Sequence, residues 1–426
     1  MRVLVIGSGG REHALVWALK RSNRVSHLVC APGNGGIARD ATCYPVSLSD
    51  HAAVLDLATS QKIDLVVVGP EAPLAAGLVD FLERHGLAAV GPTQAAARLE
   101  SSKVFAKEFM ARHGIPTAGF SVHGTPEQAL AAVDSREVRY PMVVKADGLA
   151  AGKGVVVVRN PAEATQSIRR MMVEREFGSA GEKVVLEEFL TGKEASYIVF
   201  TDGTAVLPAV AARDHKAAYD NDEGPNTGGM GAFSTDEILT PETEKYVLEK
   251  VIYSVVRGMR DEGCTFKGML YAGLMLTSEG PRVLEFNVRM GDPEGQVILP
   301  RLGSDFAALC ESLSREELAG YRAEWSGNAA ICVVLASGGY PGAYSKGKVI
   351  SGIEMAEENP KVVVFHAGTR LRNASLVTDG GRVLGVTAVD RDLASATIFA
   401  YEAVNKIRFE GMHYRRDIGA SGLRAQ

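Results

Sequence analysis

Leu284-Glu-Phe-Asn-Val-Arg-Met-Gly-Asp-Pro-Glu-Gly-Gln296 is the stretch around which the rest of the chain is read. After the apolar pair Val283-Leu284, apolar and polar residues alternate through Glu285, Phe286 and Asn287. That pattern predicts a strand delivering Glu285 and Asn287 to one face, two residues apart. A carboxylate and an amide oxygen on one side of a strand are hard ligands suited to Mg²⁺. Arg289 lies one pleat further on, and Asp292 and Glu294 follow in a Gly/Pro turn that places acids at its rim. Read alone, the stretch also fits a solvated strand end with a charged turn, because so short a motif recurs by chance. The surrounding chain decides between the two.

Bulk properties narrow the class. A chain of 426 residues has room for two to four domains with ample core. It carries 46 basic and 51 acidic side chains, a net charge of −5, which excludes a bulk nucleic-acid binder and makes any anion site local. Cys30, Cys43, Cys264, Cys310 and Cys332 are scattered and odd in number, with no C-x-x-C spacing. That usage suits a reducing cytosol and argues against a disulfide framework or a zinc site. No apolar run is long enough to span a bilayer, and the apolar start is too short for a signal peptide. The expectation is a cytoplasmic protein with no nucleic-acid or membrane partner, starting and ending like a stand-alone chain.

The first hundred residues read as a doubly wound, Rossmann-like domain. Val3 to Ile6 is a continuous apolar strand, followed by Gly7-Ser-Gly-Gly-Arg-Glu-His13 and a helix to about Lys20. Strand, glycine turn and helix N-terminus together make an anion site. The third glycine of a dinucleotide fingerprint would fall at position 12, which is Glu, and the second strand (25–29) ends in Cys-Ala-Pro with no acid for a ribose. The turn therefore reads as a phosphate or ribose-phosphate site, with an empty glycine turn as the alternative. Further strands end in Ala31-Pro-Gly-Asn-Gly-Gly36 and in Gly69-Pro-Glu-Ala-Pro73, which aim Glu71 into the same crevice, and a fourth strand runs from Ala88 to Val90.

The middle of the chain changes character. A helix over 101–113 carries Lys103 and Lys107, side chains that are usually solvated. Lys145-Ala-Asp-Gly-Leu-Ala-Ala-Gly-Lys-Gly154 joins two strands and imitates a phosphate loop. It fails that motif's spacing and is followed by a strand rather than a helix, so it reads as a flap closing over phosphates. A strand with Glu187 and Glu188 follows, then strand 195–200. A long polar loop opens at Arg213-Asp-His-Lys216 and runs through Pro225-Asn-Thr-Gly-Gly-Met-Gly231. A helix over 243–260 and a strand over 268–276 lead back to the opening stretch. A helix to about residue 318 precedes a small domain with strands 330–335, 362–366 and 383–389, a helix over 394–408, and a basic tail, His413 to Asp417, read as solvated.

Lys103, Lys145, the 148–154 flap, Glu187 and Glu188, and Glu285-Phe-Asn287 together resemble the ATP-grasp ligases. Gly7–His13, Ala31–Gly36, Val68–Pro73, Asp214–Lys216, Gly224–Gly231 and Gly291–Glu294 narrow the resemblance to the phosphoribosylamine–glycine ligase family, in that family's order and over nearly the whole chain. The resemblance implies a multidomain α/β and α+β protein. Its parts are a Rossmann-like N-terminal domain (1–102, binding phosphoribosylamine), an ATP-grasp core (103–327) with an inserted flap (about 123–192), and a small C-terminal domain (328–426). It implies ATP-driven ligation of glycine to 5-phosphoribosylamine through a glycyl phosphate, a step of purine synthesis, in a monomer or weak dimer. Another ATP-grasp carboxylate–amine ligase and a silent nucleotide-binding protein are the rival readings.

By that resemblance Lys103, Lys145, Gly152 and Lys153 meet the ATP phosphates, and Glu187, Glu188, Phe189 and Leu190 line adenine. Glu194 takes the ribose hydroxyls. Glu285 and Asn287 hold Mg²⁺ or Mn²⁺. Arg289, Asp214, Asp292 and Lys216 orient glycine and its acyl phosphate, and Gly9, Gly10, Asn34 and Glu71 hold phosphoribosylamine. Three departures from the family pattern stand out. Met290 replaces a usual Phe, Gly295 replaces a usual Thr and is expected to loosen its turn, and Ala217-Ala218 stand where an Arg is common. The place of an extra metal-binding acid on the preceding strand is taken by Ala272 and Gly273.

Overall fold

A computed structural model describes residues 1–135, 138–150 and 154–423. The N-terminal sheet is wholly parallel, in the order Thr42–Cys43, His27–Pro32, Arg2–Gly7, Leu65–Val68, Ala88–Val90. Its central strand is buried on both faces, with Val3, Leu4, Val5 and Ile6 fully inaccessible, as a parallel strand covered by helices requires. The second strand lies two residues later than the apolar run suggests. The reason is the ladder to the first strand, which pairs Arg2 with His27 and Gly7 with Pro32.

The flap has its own four-stranded antiparallel sheet, ordered Phe120–His123, Val184–Glu188, Met142–Ala146, Val155–Val158. Its small core, including Val133, Val144, Ile168 and Met171, is separate from the rest of the interior. The main sheet beneath it is also antiparallel: Val206–Pro208, Lys193–Thr201, Gly268–Thr277, Gly280–Asn287.

The opening stretch is not a simple alternating strand. Gly273 pairs with Glu285 but Leu274 pairs with Val283, so Leu284 is a bulged residue outside the ladder. The bulge resets the alternation. Val283 and Phe286 both enter the core (0% and 2% exposed), while Glu285 and Asn287 stay at the cleft.

Other expectations shift for local reasons. The helix expected over 101–113 is Lys103–Arg112, and a separate helix, Gln94–Ser101, precedes it; Ser102 is extended between them and caps the second by accepting from Phe105 N–H at 3.1 Å. The helix after Arg301 begins only at Phe306, where Asp305 caps it. The long loop from Arg213 contains a β-hairpin, Ala217–Tyr219 with Glu223–Asn226. The tail read as solvated is packed on that hairpin. Arg415 is 1% exposed and donates to Asp222, Asp417 and the Ala217 carbonyl, and His413 Nε2 lies 2.8 Å from Ala218 O.

A fourth sheet runs Arg213–Asp214, Gly231–Ser234, Ala329–Ala336, Arg382–Asp390, Val362–His366, all antiparallel. Its first two strands come from the middle of the chain and the other three from the C-terminal part, so backbone hydrogen bonds cross residue 327. Among the described residues no helix is long and apolar enough to cross a membrane.

Candidate active site

Two adjoining cavities of ≈ 150 and ≈ 280 Å³ lie between flap and main sheet and share Lys145, Glu187, Glu285 and Asn287. Lys145, near the end of its flap strand, donates to the Leu284 carbonyl at 3.0 Å. That oxygen belongs to the bulged residue, so the bulge frees an acceptor for the lysine. Lys145 also meets Glu187 Oε2 at 3.0 Å. Lys107 meets the same oxygen at 2.9 Å and Thr117 Oγ1 at 2.7 Å. Lys107 is thus not a solvated helix lysine: it lies one turn after Lys103 and is 2% exposed. Burial outweighs Glu187 and lowers its pKa to about 8. Burial also lowers the Lys103 pKa, against the pull of Glu285.

The flap is fastened at its root. Ser102 Oγ and Val104 N–H donate to Asp147 Oδ1 at 2.9 and 3.2 Å, and Lys103 Nζ donates to Gly148 O at 3.2 Å. Gly152 and Lys153 lie outside the described residues. At the next strand Glu187 is buried, while Glu188 is exposed, accepts from Gly119 N–H at 3.3 Å and also lines the larger cavity. Phe189, Leu190 and Glu194 line the larger cavity.

Glu285 sits among cations. Burial pushes its carboxyl up, but Lys216, Lys145, Lys103 and Arg289 together hold it below the usual carboxylate range. Neither of its oxygens accepts a hydrogen bond among the described residues. Asn287 Oδ1 accepts one N–H of Arg289 at 3.2 Å and keeps a second lone pair. A free carboxylate beside an amide oxygen fits a hard divalent cation. Among the described residues no group of three or more His, Cys, Asp or Glu forms a closed metal cage, so phosphate and water would complete the coordination.

On the far wall Lys216 pairs with Glu194 at 3.1 Å. Burial raises the Asp214 pKa to about 7, reinforced by Glu294, Glu194 and Glu285 and opposed by Lys216. Lys216 is raised well above its usual range, because Asp214, Glu194 and Glu285 outweigh its own burial. Arg289 is clamped: Nη2 donates to Glu100 Oε1 at 2.9 Å and Nε lies 3.4 Å from Glu71 Oε2. Glu100 also accepts from Val288 N–H at 2.8 Å. Asp292 is bound by Arg382 at 2.9 Å and by Gln296 at 2.7 Å. Glu294 accepts from Ser196, whose hydroxyl also meets Tyr271.

The N-terminal crevice abuts this wall. A Cβ on Gly9 would lie 3.4 Å from Asp292 Oδ2, and one on Gly10 would lie 2.5 Å from Gln296 Nε2. Glu12 fills the crevice itself. It accepts from Gly9 N–H at 2.6 Å, and its carboxylate crowds Gly69, where a Cβ would stand 2.2 Å away. An acid on the helix N-terminus repels a pyrophosphate, in keeping with the non-dinucleotide reading, and it also takes the Gly9 donor expected to meet a phosphate. Glu71 faces Arg289 and Arg11, which outweigh burial and lower its pKa. The Asn34 side chain is spent on structure: it donates to Ser8 O and His366 O and accepts from Gly36 and Ile37 N–H.

The structure therefore gathers Lys103, Lys145, Glu187, Glu194, Asp214, Lys216, Glu285, Asn287, Arg289 and Asp292 along one cleft, with Gly9, Gly10 and Glu71 at its rim. Glu100, Lys107, Arg11 and Arg382 escaped the sequence reading. Only Lys107 left a signal, its spacing of four from Lys103.

Comparison with known proteins gives the same ordering. Sequence models of phosphoribosylglycinamide synthetase match residues 1–100 (N domain), 101–295 (ATP-grasp (A) domain) and 330–421 (C domain). The phosphoribosylamine–glycine ligase of Caldanaerobacter subterraneus subsp. tengcongensis is 47% identical over 420 residues, covering 99% of this chain and 100% of that protein. That of Vibrio parahaemolyticus is 49% identical over 423 residues, covering 98% of each. Among solved structures, the phosphoribosylamine–glycine ligase of Thermotoga maritima superimposes with a TM-score of 0.84 at 34% identity, covering 98% of this chain and 100% of that one. A biotin carboxylase from Campylobacter jejuni shares the fold alone, with a TM-score of 0.73 at 15% identity over 99% of this chain and 95% of that one.

Proposed function

The chain belongs to the phosphoribosylglycinamide synthetase family, and from that premise we infer that it joins glycine to 5-phosphoribosylamine, driven by ATP, in purine biosynthesis. It is an ATP-dependent carbon–nitrogen ligase. A carboxylate is a poor acyl donor, so a glycine oxygen first attacks the γ-phosphorus of ATP, the bond to the leaving ADP oxygen breaks, and glycyl phosphate forms. The amine nitrogen of phosphoribosylamine then attacks the carbonyl carbon, phosphate leaves, and the nitrogen loses a proton. The products are glycinamide ribonucleotide, ADP and phosphate.

The observation that carries this assignment to the cleft is the meeting of Lys103, Lys145, Lys216 and Arg289 around the unpaired Glu285 carboxylate. A triphosphate repels an incoming carboxylate unless its charge is neutralised, and these cations supply fixed neutralisation on both sides. A divalent cation, Mg²⁺ or Mn²⁺, bound by Glu285 and Asn287 would add Lewis-acid polarisation of the phosphate. Arg289 and Lys216 are assigned to the glycine carboxylate and acyl phosphate, with Asp214 and Asp292 as the acids beside them. The backbone after Glu187 is assigned to adenine and Glu194 to the ribose. The Gly9–Gly10 turn and Glu71, which borders both Arg11 and Arg289, are assigned to phosphoribosylamine. The flap root at Asp147 and Gly148 supports closure over the reactive intermediate, which water would otherwise destroy.

Phosphate release from ATP, measured with glycine and freshly made phosphoribosylamine, tests the assignment. Release is expected only when both are present; release that ignores either one refutes it. An intact set of cations and metal-site donors disfavours a silent nucleotide-binding protein.

A further inference from the structure

Arg382 opens a strand of the C-terminal part, 90 residues beyond Asp292, yet it reaches the cleft wall. Its Nη1 donates to Gly228 O at 2.6 Å and to Asp292 O at 2.7 Å, and its Nη2 donates to Asp292 Oδ2 at 2.9 Å. Gly228 and Asp292 line the large cavity, whereas Arg382 stands behind them. The packing is close. A Cβ on Gly228 would lie 3.0 Å from Arg382 Cζ, and one on Gly229, whose φ is +111°, would lie 2.5 Å from Pro293 Cδ. Gly228 N–H donates to the Tyr340 hydroxyl at 3.1 Å, a second tie to the C-terminal part.

The tied residue faces the other substrate as well. Asp292 Oδ1 accepts from Gln296 Nε2 at 2.7 Å, and the two Asp292 oxygens stand 3.4 and 3.6 Å from the Cβ positions of Gly9 and Gly10. One guanidinium thus sets the distance between the 226–228 segment, on the nucleotide side, and the turn that borders the N-terminal crevice. A planar fork can hold three acceptors on two segments at once; a lysine ammonium has neither the reach nor the fixed angle.

We propose that Arg382 is a positioning residue for the acyl-transfer step: it holds the 226–228 segment against the 291–294 turn so that the acyl phosphate faces the amine at the Gly9–Gly10 crevice. The proposal rests on the ligase reading above. Arg382 touches no reacting atom in this scheme and acts through Gly228 and Asp292. Without it the acyl phosphate would still form, because Arg382 donates to Gly228 and Asp292 and to none of Lys145, Glu187 and Glu285, but transfer would compete poorly with hydrolysis.

The test compares the full chain with Arg382→Met and Arg382→Lys, following ADP and glycinamide ribonucleotide separately. The wild type is expected to make one of each per turnover. In both variants product formation is expected to fall on the order of 100-fold, the cost of a misplaced reacting pair, while KM for ATP changes less than about 2-fold and ADP exceeds product. Product formation near the wild-type rate overturns the proposal. So does a parallel fall of ADP and product with a raised KM for ATP, which would mark general distortion. If Arg382→Met does not fold, Arg382→Lys keeps the charge and decides alone by the same criteria. A wild-type enzyme indifferent to glycine or phosphoribosylamine would instead overturn the ligase reading.

Discussion

Lys107 and Lys145 converge on a single oxygen of Glu187: Oε2 lies 2.9 Å from one ammonium and 3.0 Å from the other, while Oε1 is buried with no hydrogen-bond partner. Two cations on one carboxylate leave an excess of positive charge at the floor of the cleft, where a polyanion is to be neutralised. The cost is the burial of Lys107, whose pKa falls from 10.5 to about 8.

That fall fixes a pH dependence. The folded protein binds the Lys107 proton less tightly than the unfolded chain, so between about pH 8 and 10.5 the unfolded state carries more protons and this group's contribution to stability rises with pH. The penalty of keeping it charged is fully present below pH 8 and is relieved as pH climbs through that window, by roughly 3 kcal/mol in all. Denaturant unfolding of wild type and Lys107→Met across pH 7 to 10.5 checks this. The wild type should gain on the variant with rising pH, and a constant difference would refute the assignment.

Glu285→Ala removes a carboxylate held among Lys103, Lys145, Lys216 and Arg289. Turnover is expected to fall at least about 1,000-fold, the scale of losing metal and charge positioning, with the fold retained. Steady-state rates and thermal melting check the pair of outcomes, and titration with Mg²⁺ should show no recovery. A near-wild-type rate would remove Glu285 from the metal site.

Asn34→Ala deletes four hydrogen bonds of 2.8 to 2.9 Å, one of which reaches His366 in the C-terminal part. The expected result is a loss of about 2–4 kcal/mol of stability in urea unfolding, because the four backbone groups, three of them at part-buried contacts, lose their partner. A variant of unchanged stability, with only KM for phosphoribosylamine raised, would return Asn34 to a purely ligand-binding role.

Two departures from the family pattern touch each other. A Cβ on Gly295 would stand 2.8 Å from Met290 Cγ, and Met290 is 1% exposed. The turn is therefore filled rather than loosened, contrary to the sequence expectation. Gly295→Thr alone is expected to cost about 1–3 kcal/mol by overpacking. Combined with Met290→Ala it should cost less than the sum of the two single changes. Additive single costs, read from a double-mutant cycle, would show the positions to be independent.

Much of this fold is legible from the sequence because its strands are short, largely apolar runs with Gly, Pro or Asp close to their ends. Met142–Ala146, Val155–Val158, Ala88–Val90 and Val362–His366 fall where the pattern places them. The Ala217–Asn226 hairpin is illegible for the opposite reason: its second strand, Glu223-Gly-Pro-Asn226, has no apolar face, and Arg415 and His413 hold the hairpin from the far end of the chain. The bulge at Leu284 left no trace, since only the register with Gly273 and Leu274 reveals it. Lys103, Lys145, Glu285 and Asn287 were readable as a set. Glu100, Lys107 and Arg382 were not, because charged side chains default to the surface until a partner is known. Arg382 finds its partner 90 residues away.

The fourth sheet has a consequence for dividing the molecule. Gly231–Ser234 is hydrogen-bonded on one side to Arg213–Asp214 and on the other to Ala329–Ala336. Cutting the chain at residue 327 would leave the first fragment with a bare strand edge and the second with its complement, each a template for aggregation. The C-terminal part is thus less a detachable module than the missing half of a sheet begun earlier. An exchange of this part between relatives would have to carry 213–234 along with it.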